Sequence, residues 1–132
     1  MADRKELAVE IKHTGVNCAQ AVLLAFKEES GLSEDTLKKL GSAFGGGMGC
    51  MEATCGALCG AEMILGLVNK DGHPVRQDAA VLLKSFTDKC GSSICGEIKG
   101  RDTGVVLCSC DDCVRNAAML LEERLKDEEH PV

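Results

Sequence analysis

The stretch TCGALCGAEMILGLV, residues 54–68, decides the fold class because it is apolar and lacks the alternation of a strand. Thr54 is a typical helix-capping residue, so the sequence predicts a helix from Cys55 to about Val68. Gly56 and Gly60 lie one turn apart, and each costs about 1 kcal/mol relative to alanine in a helix interior. With the alanines that follow them, they form a smooth face that predicts close contact with another helix.

Helical patterns continue on both sides of this stretch. Upstream, a pattern from Arg4 to Glu29 is interrupted at Thr14-Gly15, where Asn17 is the predicted start signal of a second helix. Ser33 is the predicted cap of a short helix with Leu37 and Leu40 inward. Downstream, a helix is expected from Pro74 to about Asp88, and a last amphipathic helix follows the predicted cap Ser109. The residues expected on their buried faces are Ala80, Val81, Leu83, Val114, Ala117, Ala118, Leu121 and Leu125. The prediction is a single all-α domain, residues 1–132, with four to five helices and a Gly-rich loop.

Composition excludes several functional classes. The chain has a net charge of −6 and an aromatic content of only 2%, whereas nucleic-acid binding favours basic patches and stacking aromatics. No stretch is long and apolar enough to span a membrane, and the first residues carry mixed charge without the apolar core of a signal peptide. We therefore expect a cytoplasmic protein that binds neither nucleic acid nor membranes.

Nine cysteines in 132 residues are the chemical signature of the chain. In a reducing compartment this density indicates metal binding or redox chemistry rather than disulfides, and the odd count forbids complete pairing. Cys18, Cys55 and Cys110 are each predicted at the start of a helix, where the helix dipole favours the thiolate.

Standard metal-binding spacings are absent. Cys110 and Cys113 form the only C-x-x-C pair, so a zinc ribbon lacks its second half. Cys50, Cys55 and Cys59 do not have the plant-type ferredoxin spacing. Any site must therefore gather cysteines from distant parts of the chain.

The combined motifs resemble a known family. The segments are NCAQAV at 17–22, GGGMG at 45–49, CGALCG at 55–60, IC at 94–95, and Cys110 four residues before Val114. Over about residues 15–125 they are similar to the family of small redox-active proteins named for its C_GCAxxG_C_C pattern. A related domain occurs in split-Soret cytochromes.

The resemblance implies a four-cysteine metal site at Cys18, Cys55, Cys95 and Cys110. It implies an iron–sulfur cluster, 2Fe–2S in preference to 4Fe–4S, and a homodimer. The chain departs from the family pattern by a shorter segment before Cys95 and by five extra cysteines, so that Cys108 or Cys113 is an alternative to Cys110. Of the other extra cysteines, Cys59 and Cys90 are equally consistent with small buried hydrophobic residues, and the role of Cys50 stays open.

The glycine loop, Gly45–Gly49, lacks the Gly-Lys-Ser/Thr ending of a nucleotide-binding P-loop. Its free N–H groups suit hydrogen bonds to cluster sulfurs, which makes Gly46, Gly47, Gly49 and Gly56 the predicted cofactor-binding positions.

Three functions remain open from the sequence. The first is an electron-transfer protein with an iron–sulfur cluster and an unspecified redox partner. The second is a metal-free thiol/disulfide protein whose exchanging pair is Cys110 with Cys113 or Cys55 with Cys59. The third is an interaction module with structural zinc.

Overall fold

Helices make up most of the described residues, which in this computed structural model are 3–69, 72 and 74–129. The helices are α1 (Arg4–Lys12), α2 (Cys18–Ala25), α3 (Lys27–Ser30), α4 (Glu34–Gly41), α5 (Gly56–Leu67), α6 (Arg76–Cys90), α7 (Cys95–Lys99) and α8 (Cys110–Glu129). A π-type turn, Gly47–Met51, follows the start of the glycine loop. The all-α prediction is confirmed. The helices outnumber the predicted four to five, in part because the Arg4–Glu29 pattern breaks at Phe26 as well as at the predicted interruption, which gives α1, α2 and α3.

Helix α5 packs against both α2 and α8. A Cβ atom added at Gly60 would lie 2.8 Å from the carbonyl oxygen of Ala19 on α2, so the glycine face allows the two backbones to approach closely. This confirms the predicted close helix contact and places it within the chain. The core around it is aliphatic, and its largest fully buried side chains include Leu23, Phe26, Leu58, Ile64, Leu65, Phe86 and Leu121.

The buried face of α6 differs from the prediction. Leu82 and Phe86, one turn apart, are buried, whereas Val81 and Leu83 are 41% and 43% exposed and Ala80 is exposed. The apolar run at 79–83 offers more than one helix face, and packing against α8 selects the face of Leu82. The predicted inward face of α8 is confirmed at Val114, Ala117, Ala118 and Leu121, while Leu125 is partly buried. On α4, Leu37 is buried but Leu40 is 40% exposed.

Asn17 and Gln20 form a capping box at the start of α2. The Asn17 side chain accepts the Gln20 N–H at 2.8 Å, and the Gln20 side chain accepts the Asn17 N–H at 2.9 Å. Their side-chain amides also donate to the carbonyls of Gly41 and Lys38, which fixes α2 to the end of α4. The same four-residue motif therefore starts one helix and positions another.

Two other predicted caps are confirmed, and two predicted starts are wrong. The Ser33 hydroxyl accepts the N–H of Thr36, and the Ser109 hydroxyl accepts that of Asp112. Thr54, however, is not the cap of α5; its backbone pairs with Ile94, so that Cys55 becomes the N-cap residue. Helix α6 begins at Arg76, after the predicted start at Pro74.

Within the described residues, no helix has both the length and the hydrophobicity needed to cross a membrane.

Candidate metal and redox site

A short backbone bridge brings two distant cysteines together. Thr54 and Ile94 form an isolated antiparallel pair. The Cys55 N–H donates to the Ser93 carbonyl at 2.8 Å, and the Cys95 N–H donates to the Ala53 carbonyl at 3.0 Å. Residues 40 positions apart in sequence thus become neighbours through hydrogen bonds between backbone groups.

All four cysteines of the predicted site stand at helix starts. Helices α2, α7 and α8 begin at Cys18, Cys95 and Cys110, and Cys55 is the N-cap residue of α5. The first helical N–H groups have no partner within their own helix. A thiolate at such a position also lies at the positive end of the helix dipole.

Cys55 lies at the centre of a group of neighbouring cysteines, called the cysteine cluster, that includes Cys18 and Cys113. Hydrogen bonds from the thiols of Cys113 and Cys18 lower the pKa of Cys55, and the N–H groups of Ala57 and Leu58 act in the same direction. Burial raises the pKa, but the hydrogen bonds outweigh it, so the pKa of Cys55 is lowered. The bond that Cys18 donates to Cys55, reinforced by burial, raises the pKa of Cys18, although the Gly46 N–H donates to the Cys18 sulfur. The folded structure therefore favours a thiolate at Cys55.

Lys99 is a cation among these thiols. Its ammonium lies 3.6 Å from Sγ of Cys113 and 3.4 Å from the Cys108 carbonyl oxygen. Burial lowers the pKa of Lys99, but a hydrogen bond with Cys110 and the charges of nearby thiolates outweigh this, and the pKa is raised. Sequence reasoning missed Lys99. The available signal was its position one helical turn after Cys95.

Cys95 and Cys110 approach the cluster from other sides. Burial, followed by the charge of Cys55, raises the pKa of Cys95, and the Cys110 charge contributes in the same direction. Cys95 is buried, whereas Cys110 is exposed. Cys113, not Cys110, hydrogen-bonds to Cys55. Cys95 thus lies near both Cys55 and Cys110, and the four-cysteine ligand set stays a prediction.

A second sulfur group is more compact. The sulfurs of Cys90, Cys108 and Cys113 all lie within 4.8 Å of one another, a spacing that the predicted four sulfurs do not share. Cys90 is 1% exposed, as expected for a buried residue, yet its sulfur belongs to this group. Sequence reasoning did not identify the group, because α6 and the segment before α8 meet only in the folded chain.

The remaining two cysteines lie outside both sulfur groups. Cys50 is exposed and its thiol lies 3.7 Å from the Gly47 carbonyl oxygen. Cys59 is half-buried and its thiol lies 3.9 Å from the Thr54 carbonyl oxygen. Neither thiol has a described hydrogen bond to another cysteine.

The glycine loop lies against the cysteines. A Cβ atom at Gly47 would lie 2.6 Å from Cβ of Cys95, and one at Gly56 would lie 2.6 Å from Sγ of Cys18. Only glycine fits at either position without displacing a cysteine. Gly46 donates to Cys18, while Gly49 has positive φ but no atom within 4 Å of an added Cβ.

Two non-glycine residues of this region also have left-handed backbone. Met48 has φ 63° and Met51 has φ 65°. Such conformations cost on the order of 1–3 kcal/mol each and persist where surrounding structure enforces them, often at functional sites. The Arg101 guanidinium donates to the Cys50 carbonyl at 3.1 Å and helps hold this turn.

These motifs agree with a comparison against known families. Residues 16–124 match the family described as "Putative redox-active protein (C_GCAxxG_C_C)". The chain belongs to this family. The resemblance predicted from the sequence is confirmed, and the C_GCAxxG_C_C chain contains a cysteine group able to hold a metal. No curated protein and no solved structure matches the chain.

Proposed function

We propose that this C_GCAxxG_C_C protein transfers electrons by means of an iron–sulfur cluster held by Cys18, Cys55, Cys95 and Cys110. The observation that carries the proposal is that two helix-start cysteines, Cys18 and Cys95, both lie close enough to Cys55 and Cys110 for their charges to interact. Four cysteine thiolates are the usual ligand set of 2Fe–2S and 4Fe–4S clusters. We favour 2Fe–2S, and the redox partner is an unspecified protein.

The spacing of the sulfurs supports a cluster over a single ion at these four positions. Around one tetrahedral zinc, ligand sulfurs would be separated by about 3.8 Å, given Zn–S bonds near 2.3 Å. The four sulfurs are more widely spread than a group within 4.8 Å. A cluster accommodates wider separations because its ligands bind different metal atoms.

The glycines support the same interpretation. Gly47 and Gly56 leave space directly beside Cys95 and Cys18, where any side chain would collide. Gly46 supplies an N–H to the Cys18 sulfur, and α5 supplies two more to Cys55. Hydrogen bonds to cluster sulfurs and ligands tune reduction potential.

Residues of the chain could balance the charge of the proposed cluster and expose it to a redox partner. Lys99 forms a hydrogen bond with Cys110 and so places a positive charge beside the four-cysteine site, which offsets repulsion between thiolates there. Bound, the cluster would supply reversible one-electron chemistry. Cys110 is exposed, so a redox partner would approach from the start of α8.

Anaerobic reconstitution with iron and sulfide tests the proposal. Wild-type protein should turn brown and contain iron and acid-labile sulfide, with cluster type determined by Mössbauer and electron paramagnetic resonance spectroscopy. Cys55→Ser should lose the iron and lower the free energy of unfolding by at least about 2 kcal/mol, since ligation ties separate segments together. Cys59→Ala is the matched control, because this thiol lies one turn from Cys55 but outside both sulfur groups. Full iron content in Cys55→Ser would reject the ligand assignment.

Thiol/disulfide exchange is the second candidate, supported by the compact group of Cys90, Cys108 and Cys113, whose sulfurs all lie within 4.8 Å of one another. The pairs within this group differ from the two pairs expected from the sequence, Cys110 with Cys113 and Cys55 with Cys59. A reversible two-electron dithiol titration in iron-free protein, with thiols mapped by mass spectrometry, would support this candidate.

We also propose a homodimer, although the glycine face of α5 is not its interface because that face packs on α2. Support comes from the exposed apolar side chains Val81 and Leu83 on α6. Light scattering should give twice the chain mass at micromolar concentration, and a monomer mass would exclude the proposal.

A further inference from the structure

The compact sulfur group lies beside the four-cysteine site but draws on different segments. Cys90 ends α6, Cys108 lies in the loop before α8, and Cys113 lies in the first turn of α8. Two of the three cysteines are buried, and all three sulfurs lie within 4.8 Å of one another. None of these cysteines is needed for the four ligands proposed above.

Polar donors are directed at these sulfurs. The Asn116 amide lies 3.4 Å from Sγ of Cys90 and 3.9 Å from Sγ of Cys108. The Lys99 ammonium lies 3.6 Å from Sγ of Cys113. Neutral cysteines packed as small hydrophobic residues need no such donors, whereas buried thiolates do.

We propose that Cys90, Cys108 and Cys113 form a second metal site that binds zinc through three thiolates. Thiolate ligands favour soft and borderline cations such as zinc and cuprous copper. A zinc–thiolate site needs sulfurs about 3.8 Å apart, which a group already within 4.8 Å reaches with small movements.

Charge favours the divalent ion. Three thiolates and Zn²⁺ leave one net negative charge, which Lys99 balances. With a monovalent ion, two negative charges would remain for the same lysine. Three protein ligands also leave the fourth tetrahedral position open to water or an external ligand.

Zinc binding here would change the hydrogen bonding of Cys113. The Cys113 thiol donates to the Cys108 carbonyl oxygen at 3.9 Å, and a zinc ligand must be deprotonated. Cys113 therefore gives up this hydrogen bond when it ligates zinc. Each zinc bound should release protons to the buffer.

Native mass spectrometry of the reduced full chain titrated with Zn²⁺ tests the second site. Cys108→Ser should lose one equivalent of zinc while keeping the iron of the reconstituted protein. Cys108 is chosen because it is the least buried of the three. Cys18→Ser should show the reverse, losing iron and keeping that zinc. Failure of the two proposals is thus distinguishable. Cys50→Ser, outside both groups, should retain both metals.

Asn116→Leu provides a test that leaves all three sulfurs in place. Removing the amide that donates to Cys90 and Cys108 should weaken zinc binding about tenfold, with unchanged circular dichroism. Retention of this zinc by Cys108→Ser would overturn the proposed zinc site. A wild-type protein that binds Cu⁺ and does not bind Zn²⁺ would also overturn it. So would disulfide-bonded, zinc-free cysteines in protein purified without oxygen.

Discussion

The position that a Cβ atom would take at Gly56 lies 2.6 Å from Sγ of Cys18 and equally close to the carbonyl oxygen of Phe44. The sulfur side chain and a rigid backbone atom therefore meet at the first residue of α5. We expect Gly56→Ala to lower the free energy of unfolding by about 1–3 kcal/mol, because overpacking at a tight contact outweighs the gain in helix propensity. Chemical denaturation measures this change.

Gly66→Ala is the matched control on the same helix. Gly66 is exposed and an added Cβ would meet no atom within 4 Å. This substitution should stabilise the protein by about 0.5–1 kcal/mol. Equal effects of the two substitutions would show that the Gly56 contact has no energetic importance.

Lys99→Met should make reduction of the reconstituted protein less favourable. Removing a positive charge beside the cysteine cluster destabilises the reduced, more negative state, so the midpoint potential should fall by on the order of 50 mV. Lys39→Met removes the same charge from an exposed position on α4 and should leave the potential unchanged. Protein-film voltammetry compares the two variants, and a rise in the Lys99→Met potential would contradict the charge argument.

Glu62 makes stability depend on pH. Burial raises the pKa of Glu62 from its ordinary value of 4.5 to about 7, and its Oε1 atom has no hydrogen-bond partner. The folded state therefore holds this proton more tightly than the unfolded state. The contribution of protonated Glu62 to the free energy of unfolding is fully present below pH 4.5 and is lost as the pH rises through about 7.

Glu62→Gln should remove this dependence. Above pH 7 the variant should be more stable than wild type by on the order of 1 kcal/mol, because the half-exposed carboxylate is partly screened by solvent. Glu10→Gln, at an exposed position on α1, is the control and should follow the wild-type curve. Thermal melts between pH 4 and 8 decide the matter, and an unchanged slope for Glu62→Gln would count against it.

Asn17 has two separable roles. Asn17→Ala should cost about 1–2 kcal/mol, since it removes both the cap of α2 and the amide donated to α4. Asn17→Ser should recover part of this loss by restoring a capping oxygen without the amide. The two variants are compared by urea denaturation. If Asn17→Ser were no more stable than Asn17→Ala, the capping interaction would not be the source of the effect.

Local signals in the sequence were sufficient to predict the helices but not to predict which segments pack against them. Asn17, Ser33 and Ser109 cap helices as predicted because capping depends on adjacent residues. Thr54 failed as a cap because a long-range partner, Ile94, recruited its backbone. The prediction of the buried face of α6 was wrong for the same reason, because packing against α8 and not hydrophobic periodicity determines which face is buried.

The site shows the same division. Helix-start positions and family motifs identified four cysteines, whereas the contact of Cys113 with Cys55 depends on how α8 packs beside α5. No spacing in the sequence brings Cys90 near Cys108. Lys99 was accessible in principle from its helical spacing to Cys95, but its role depends on sulfurs contributed by α8.

The backbone pairing of Thr54 with Ile94 has a consequence for variation in chain length. It closes a loop that contains all of α5 and α6, and its two hydrogen bonds use no side chains. Helices inside a closed loop can lengthen or shorten at their far end while the closing residues stay in register. The short segment before Cys95 in this chain is thus compatible with the pairing that holds Cys55 beside Cys95. Because of this bridge, we expect insertions and deletions between α5 and α6 to leave the position of Cys55 relative to Cys95 unchanged.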